Sequence, residues 1–170
     1  MKARREAPAR KGGDRLGELF LMHASQMGRL AYLLTGDRAT ADDLVQEAFI
    51  RLARRFTHLR DVEAFDSYFR RTIVNLACSH HRHRRVERAY GERIAALPNP
   101  SADLPNIADR EALREALLRI PRRSRAAIVL RFYEDLSERR TAEVMGCKPG
   151  TVKALVSQGL AKLREEMGDA

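Results

Sequence analysis

Helix-breaking residues are sparse in this chain, and most of them gather at one place. Pro98-Asn99-Pro100-Ser101 and then Pro105 interrupt an otherwise helix-like pattern. A proline inside a helix removes a backbone donor and clashes with the preceding turn. The stretch Ala95 to Ala108 is therefore read as a linker with a helical unit on either side. The expected fold class is all-α. Two small helical domains, 14–94 and 109–170, are joined by a flexible linker at 95–108 and preceded by a disordered basic tail at 1–13.

Apolar spacing fills in the elements. Leu16, Leu19, Phe20, Met27, Leu30, Ala31 and Leu34 recur at helical intervals, with Asp14 as a cap and Gly36 as a left-handed stop. Thr40, with Asp43 three residues on, suggests the start of a second helix. Its buried stripe is Leu44, Val45, Ala48, Phe49, Leu52 and Phe56. His58 to Val62 is a short polar connection. A long third helix, or two in series, then runs from about Glu63 to Ile94 with Phe65, Phe69, Ile73, Leu76 and Ala77 on its apolar face. Beyond the linker, shorter helices are expected over Asp109–Arg119, Ser124–Tyr133, Ser137–Met145 and Pro149–Met167.

The chain has 32 Lys and Arg against 23 Asp and Glu, a formal net charge of +9, and is 44% hydrophobic. That apolar share suffices for a core. The excess is almost all arginine, since lysine occurs only at Lys2, Lys11, Lys148, Lys153 and Lys162. Arginine forks match phosphate oxygens and stack on bases, so nucleic acid is the expected partner, although a GC-rich genome also raises arginine and alanine. Cys78 and Cys147 form no CxxC pair, which excludes a disulfide framework and fits a reducing interior. Apolar runs such as Leu19-Phe20-Leu21-Met22 are too short to span a bilayer, and no secretory leader follows the basic N-terminus. A cytoplasmic protein without membrane insertion is expected.

The most specific local signal lies between Ser137 and Leu163. Ser137 caps a short helix, Gly146 supplies a left-handed turn, and Pro149 stands where a second helix begins, a position at which proline costs no hydrogen bond. Ala142, Gly146 and Val152 have helix-turn-helix spacing. In the second helix Val152, Val156, Leu160, Leu163 and Met167 share one face. The other carries Gly150, Thr151, Ala154, Ser157 and Gln158, with Lys153 on its flank, free to enter a major groove. Gln158 suits adenine, Lys153 a phosphate or guanine, and Thr151 with the helix N-terminus a phosphate. The plain alternative is an amphipathic surface helix without a ligand.

A second basic feature is the run Arg70, Arg71, Arg82, Arg84, Arg85, Arg88 and Arg93, opposed only by Glu87 and Glu92. Phe65, Tyr68 and Phe69 lie just upstream; arginines beside aromatic rings suit DNA backbone and unstacked bases. For the aromatics, a place in the core is favoured. His80 and His83 with Cys78 suggest a metal, but no second ligand pair follows and the flanking arginines repel a cation, so neither a metal nor any cofactor is expected. Asp42, Asp43, Gln46 and Glu47 form a patch of opposite sign. The helix dipole accounts well for Asp42 and Asp43 at the start of their helix and poorly for Glu47, which leaves a basic protein partner as the other reading.

Two segments carry a family resemblance. Asp42-Asp43-Leu44-Val45-Gln46-Glu47-Ala48-Phe49, followed by Tyr68-Phe69-Arg70-Arg71-Thr72-Ile73-Val74-Asn75-Leu76-Ala77, resembles region two of extracytoplasmic-function (ECF) sigma factors of the sigma-70 family, actinobacterial in flavour. Leu130-Arg131-Phe132-Tyr133-Glu134-Asp135-Leu136-Ser137, then Thr141-Ala142-Glu143 and Gly150-Thr151-Val152-Lys153, resembles their region four. The likeness runs from about Leu16 to Arg164. It implies a non-catalytic subunit of bacterial RNA polymerase that directs initiation at promoters. Asp43, Gln46 and Glu47 would then meet the clamp helices of the beta-prime subunit, with the beta flap as a further polymerase contact and an anti-sigma protein as a further partner. His58, Arg60, Asp61 and Phe65 would lie where a flipped base of the minus-ten element is captured, with Arg71, Asn75, Arg82 and Arg85 facing melting DNA. Thr151, Lys153, Ala154, Ser157 and Gln158 would read the minus-thirty-five element, and the linker would thread near the RNA exit path. Ala154 and Gln158 depart from the Ser and Arg the family often has, which weakens DNA affinity or alters the preferred element. No regulatory C-terminal extension is expected.

Overall fold

The computed structural model describes residues 9–55, 62–87 and 107–168, with side chains over 15–55, 64–79 and 111–168. Every regular element among these residues is helical. In order they are α1 (Ala9–Thr35), α2 (Arg38–Ala53), α3 (Val62–Glu87), α4 (Ile107–Arg119), α5 (Arg122–Ile128) continued by a π-helical turn (Val129–Tyr133), α6 (Glu138–Met145) and α7 (Pro149–Gly168).

Helices α1, α2 and α3 pack pairwise around a shared interior. Met27, Leu30, Ala48, Leu52, Phe65, Phe69 and Ile73 are fully enclosed there. Phe65 and Phe69 meet edge to face at 5.6 Å, and Phe20 lies 4.3 Å from Phe49. Apolar stripes at helical spacing explain this packing, since each helix hides one face and leaves the other wet.

Several starts differ from the sequence expectation. α1 begins at Ala9, so Asp14 lies inside it and residues 9–13 are helix rather than tail. α2 is capped by Asp37, whose carboxylate accepts from the Thr40 amide at 2.8 Å; Thr40 itself is in the first turn and buried. Both positions carry capping side chains, and the earlier one prevails because Gly36, at φ 74°, turns the chain directly into it. α4 starts at Ile107, inside the stretch read as linker. Phe56, the connection at 58–61, Arg88 to Ile94 and the prolines at 98, 100 and 105 lie outside the described residues.

The second group of helices leans on the first. α6 lies against α3, and α4 and α5 reach α1. Ala126, Val129, Leu130 and Val144 belong to the same apolar cluster as the α1–α3 interior, while Leu117, Ile120 and Ile128 form a smaller cluster with Leu160 and Leu163 of α7. The turn Val129–Tyr133 closes with the Glu134 amide donating to the Val129 carbonyl at 3.0 Å. The wider turn accommodates one residue more than an α turn and sends Phe132 and Tyr133 outward while Val129 and Leu130 stay buried.

Candidate nucleic-acid and polymerase surfaces

The helix-turn-helix forms as its turn chemistry requires. Ser137 Oγ accepts from the Arg140 amide at 3.2 Å at the start of α6. Gly146 ends it at φ 62°, ψ 41°, and the Cys147 amide donates to the Ala142 carbonyl at 3.0 Å. Pro149 opens α7. Val152 is fully buried between the two helices. Gly159, which the sequence reading passed over, is buried too: a Cβ there would stand 2.7 Å from Ile128 Cδ1 and 3.0 Å from Ser124 Cβ. Glycine lets α7 approach α5 closely. With its inner face seated in this way, α7 turns Thr151, Lys153, Ala154, Ser157 and Gln158 to solvent, together with Gly150. Of the apolar face expected on α7, Val156, Leu160 and Leu163 are half-buried, and Met167 is exposed.

The carboxylate face lies on α2. Asp42, Asp43, Gln46 and Glu47 are all exposed, opposite buried Ala41, Leu44, Val45 and Ala48. Glu47 pairs with Arg51 at 2.7 Å one turn on. Because α2 starts at Arg38, its first turn holds no acidic residue and Asp42 and Asp43 lie beyond it. The helix dipole fades within the first turn, so it no longer accounts for them.

A third surface is basic. Arg51, Arg54 and Arg55 of α2 with Tyr68, Thr72 and Asn75 of α3 line a cavity of about 320 Å³. The Arg55 guanidinium stands 5.6 Å from the centre of the Tyr68 ring and donates to the Tyr68 hydroxyl at 2.6 Å. Asn75 and Arg71 are exposed. Such a recess offers cations for phosphate and a ring for stacking. The α2 arginines were missed in the sequence because they sit outside the long arginine run. They become visible only when the α2 and α3 registers are laid side by side.

The remaining expected residues divide. Phe65 is fully enclosed, its ring 5.6 Å from the His23 ring, so it lies in the core and not on the surface with Asn75. Arg70, part of the run read as DNA-facing, is turned inward: Nε and Nη2 donate to Glu134 Oε2 at 2.9 and 2.8 Å, and Nη1 pairs with Asp66. The positions of His58, Arg60 and Asp61 and the side chains of Arg82 and Arg85 are outside the described residues, as are those of His80 and His83. Cys78 is half-buried and burial pushes its thiol pKa up, an effect that Arg123, Arg122 and Arg125 offset in part.

These features define a helical DNA-binding protein with a helix-turn-helix near one end and a separate acidic docking face near the other. Comparison with known proteins makes the assignment specific. A family model described as Sigma-70 region 2 matches residues 19–87, and one described as Sigma-70, region 4 matches residues 110–163. The chain is 34% identical to the RNA polymerase sigma-E factor of Streptomyces coelicolor, over 82% of this chain and 78% of that protein. It is 32% identical to the ECF RNA polymerase sigma factor SigM of Mycobacterium tuberculosis, over 94% and 82%. Its fold matches a solved structure of the sigma factor RpoE in complex with the anti-sigma factor NepR from Bartonella quintana, with a TM-score of 0.73, 22% identity and coverage of 91% of this chain and 97% of that one. The chain belongs to the ECF sigma factors of RNA polymerase, and its function is promoter-directed initiation of transcription. Among the described residues no helix is long and apolar enough to cross a membrane.

Proposed function

We propose that the three surfaces divide the work of a sigma factor. The exposed face of α2, with Asp43, Gln46 and Glu47, docks on the beta-prime clamp helices of core polymerase. The outward face of α7 enters the major groove of the minus-thirty-five element, Gln158 and Lys153 making the base and phosphate contacts and Thr151, Ala154 and Ser157 lining the approach. The Arg51–Arg54–Arg55–Tyr68 recess, with Arg71 and Asn75, takes the strand released at the minus-ten element. The residues expected at that element from the family resemblance, His58, Arg60, Asp61, Arg82 and Arg85, extend the same reading. On this reading residues 14–94 are the polymerase-binding and minus-ten domain, 95–108 the linker and 109–170 the minus-thirty-five domain. The protein acts in the cytoplasm, without catalytic chemistry of its own. An anti-sigma protein is a natural partner, since the RpoE and CnrH structures it resembles were solved with NepR and CnrY.

The observation that carries this reading is the presentation of α7. Its inner face is fixed by buried Val152 and Gly159, and its polar face is exposed along its length. Run-off transcription with purified core polymerase tests it. Lys153→Ala with Gln158→Ala reduces promoter-specific transcript while the protein still co-purifies with polymerase. Asp43→Lys with Glu47→Lys abolishes that association. Unchanged transcription in the first pair refutes the groove assignment, and retained association in the second refutes the docking face.

A further inference from the structure

The two groups of helices are joined by polar bonds as well as by apolar contact. Glu134, at the end of the π-helical turn, is 1% exposed in its side chain and accepts from Arg70 of α3 at 2.8 and 2.9 Å and from Gln26 of α1 at 2.8 Å. Arg70 is 8% exposed and is held by Asp66 as well. A second junction lies at the end of α1. Arg125 of α5 donates to the Leu34 carbonyl at 2.5 Å, and Arg114 of α4 donates to the Gly36 carbonyl at 3.1 Å. The Gly36 backbone lies so near Leu118 that a Cβ would stand 2.3 Å from its Cδ1. Between these junctions Val144 of α6 joins the α1–α3 interior, and the Gly146 turn of the helix-turn-helix lies close to Arg71.

This arrangement is too small for the task assigned to it. A compact chain of this length has a radius of gyration of about 15 Å, hence a diameter of about 40 Å. The two promoter elements are separated by roughly 25 base pairs, on the order of 85 Å along the duplex. A pair of lobes packed on one another reaches one element at a time. Segment 88–106, fully extended, spans on the order of 65 Å, enough with the lobes' own width to cover that distance.

We propose that the packed form is a shut state of the free protein, latched by Glu134 on Arg70 and Gln26, and that engaging both promoter elements requires the latch to open. The inference rests on the sigma-factor reading of α7 and of the basic recess. The chemistry suits a reversible seam. Each ion of the latch regains water on opening, so little is lost by separating it, whereas Val144 and its neighbours become exposed and need a new surface. Core polymerase supplies that surface, which couples opening to docking. While the seam is shut, the fraction able to contact both elements is small, and the apparent affinity falls by that fraction.

The full-length protein provides the test. Dyes on Ser25→Cys and Ala161→Cys, both exposed positions on opposite sides of the seam, in a Cys78→Ser, Cys147→Ser background, report the separation of the lobes. The free protein should show high energy transfer that falls on addition of core polymerase. Glu134→Ala leaves Arg70 paired with Asp66, so the α1–α3 interior is spared. In the absence of polymerase this variant should lower the transfer and raise affinity for a fragment carrying both promoter elements by about tenfold. Low transfer in the free parent protein overturns the proposal, as does a Glu134→Ala variant whose transfer and DNA affinity match the parent. Should polymerase fail to bind at all, the sigma reading falls, while the free-protein measurements still decide whether the latch exists.

Discussion

The guanidinium of Arg125 donates to the carbonyl of Leu34 at 2.5 Å, across 91 residues of chain. The same side chain donates to the carbonyls of Leu117 at 2.7 Å, Leu118 at 2.6 Å and Ile120 at 3.3 Å. The ends of α1 and α4 thus share one cation where their last carbonyls have no helical partner. Burial, with Arg122 nearby, pushes its pKa down to about 10, still well above neutrality, so the cation persists. Arg125→Met fills the space but leaves several buried carbonyls without a donor. It is expected to cost about 3 kcal/mol, or roughly 10 °C in thermal midpoint. Arg125→Lys, with a single ammonium, should recover only part of that loss; equal melting of the parent and Arg125→Met contradicts the assignment.

Gly159 sets the distance between α5 and α7. Alanine there gains about 1 kcal/mol of helix propensity, but its Cβ presses on Ile128 and on the less yielding Ser124 Cβ, and overpacking of that kind costs about 1–3 kcal/mol. The second effect wins, and Gly159→Ala should lower stability. Ile128→Val removes the nearest atom, so the double variant should melt above Gly159→Ala alone. Calorimetry on the set of three checks the sign.

Thr141 of α6 is fully buried, and its hydroxyl has no hydrogen-bond partner among the described residues. An unsatisfied buried hydroxyl costs on the order of 1–3 kcal/mol, and valine has nearly the same shape. Thr141→Val should therefore stabilise the protein by about 1 kcal/mol in chemical denaturation, with no change in DNA binding because the side chain faces inward.

The Glu111 carboxyl, hydrogen-bonded by Arg114, has a pKa below its ordinary value of 4.5, burial opposing the shift only in part. The sign follows from linkage. A carboxyl whose folded pKa is depressed adds stability above its ordinary range, and that stability is lost as pH falls through the lowered value. An NMR titration should place Glu111 below 4.5, and Arg114→Met should return it upward. The group is largely exposed, so the effect on overall stability is small.

Local chemistry was legible where a single residue decides. Gly36, Gly146, Ser137 and Pro149 act as their types require, and the apolar stripes of α1 to α3 are buried as spaced. Long-range partnership was not. Arg70 stood in a basic run, and nothing near it shows that Glu134, 64 residues on, would claim it. The choice of Asp37 over Thr40 as cap turned on Gly36, and it changes how Asp42 and Asp43 are understood. The recess between α2 and α3 combines residues whose proximity depends on the crossing of two helices, and periodicity within one helix does not report it.

The junction at the end of α1 is made to peptide carbonyls, those of Leu34 and Gly36, and not to side chains. The acceptors are therefore present whatever residues stand there. An alanine scan of that turn would pass over the Leu34 acceptor entirely, whereas an amide-to-ester replacement at the bond following Leu34 would weaken it without changing any side chain.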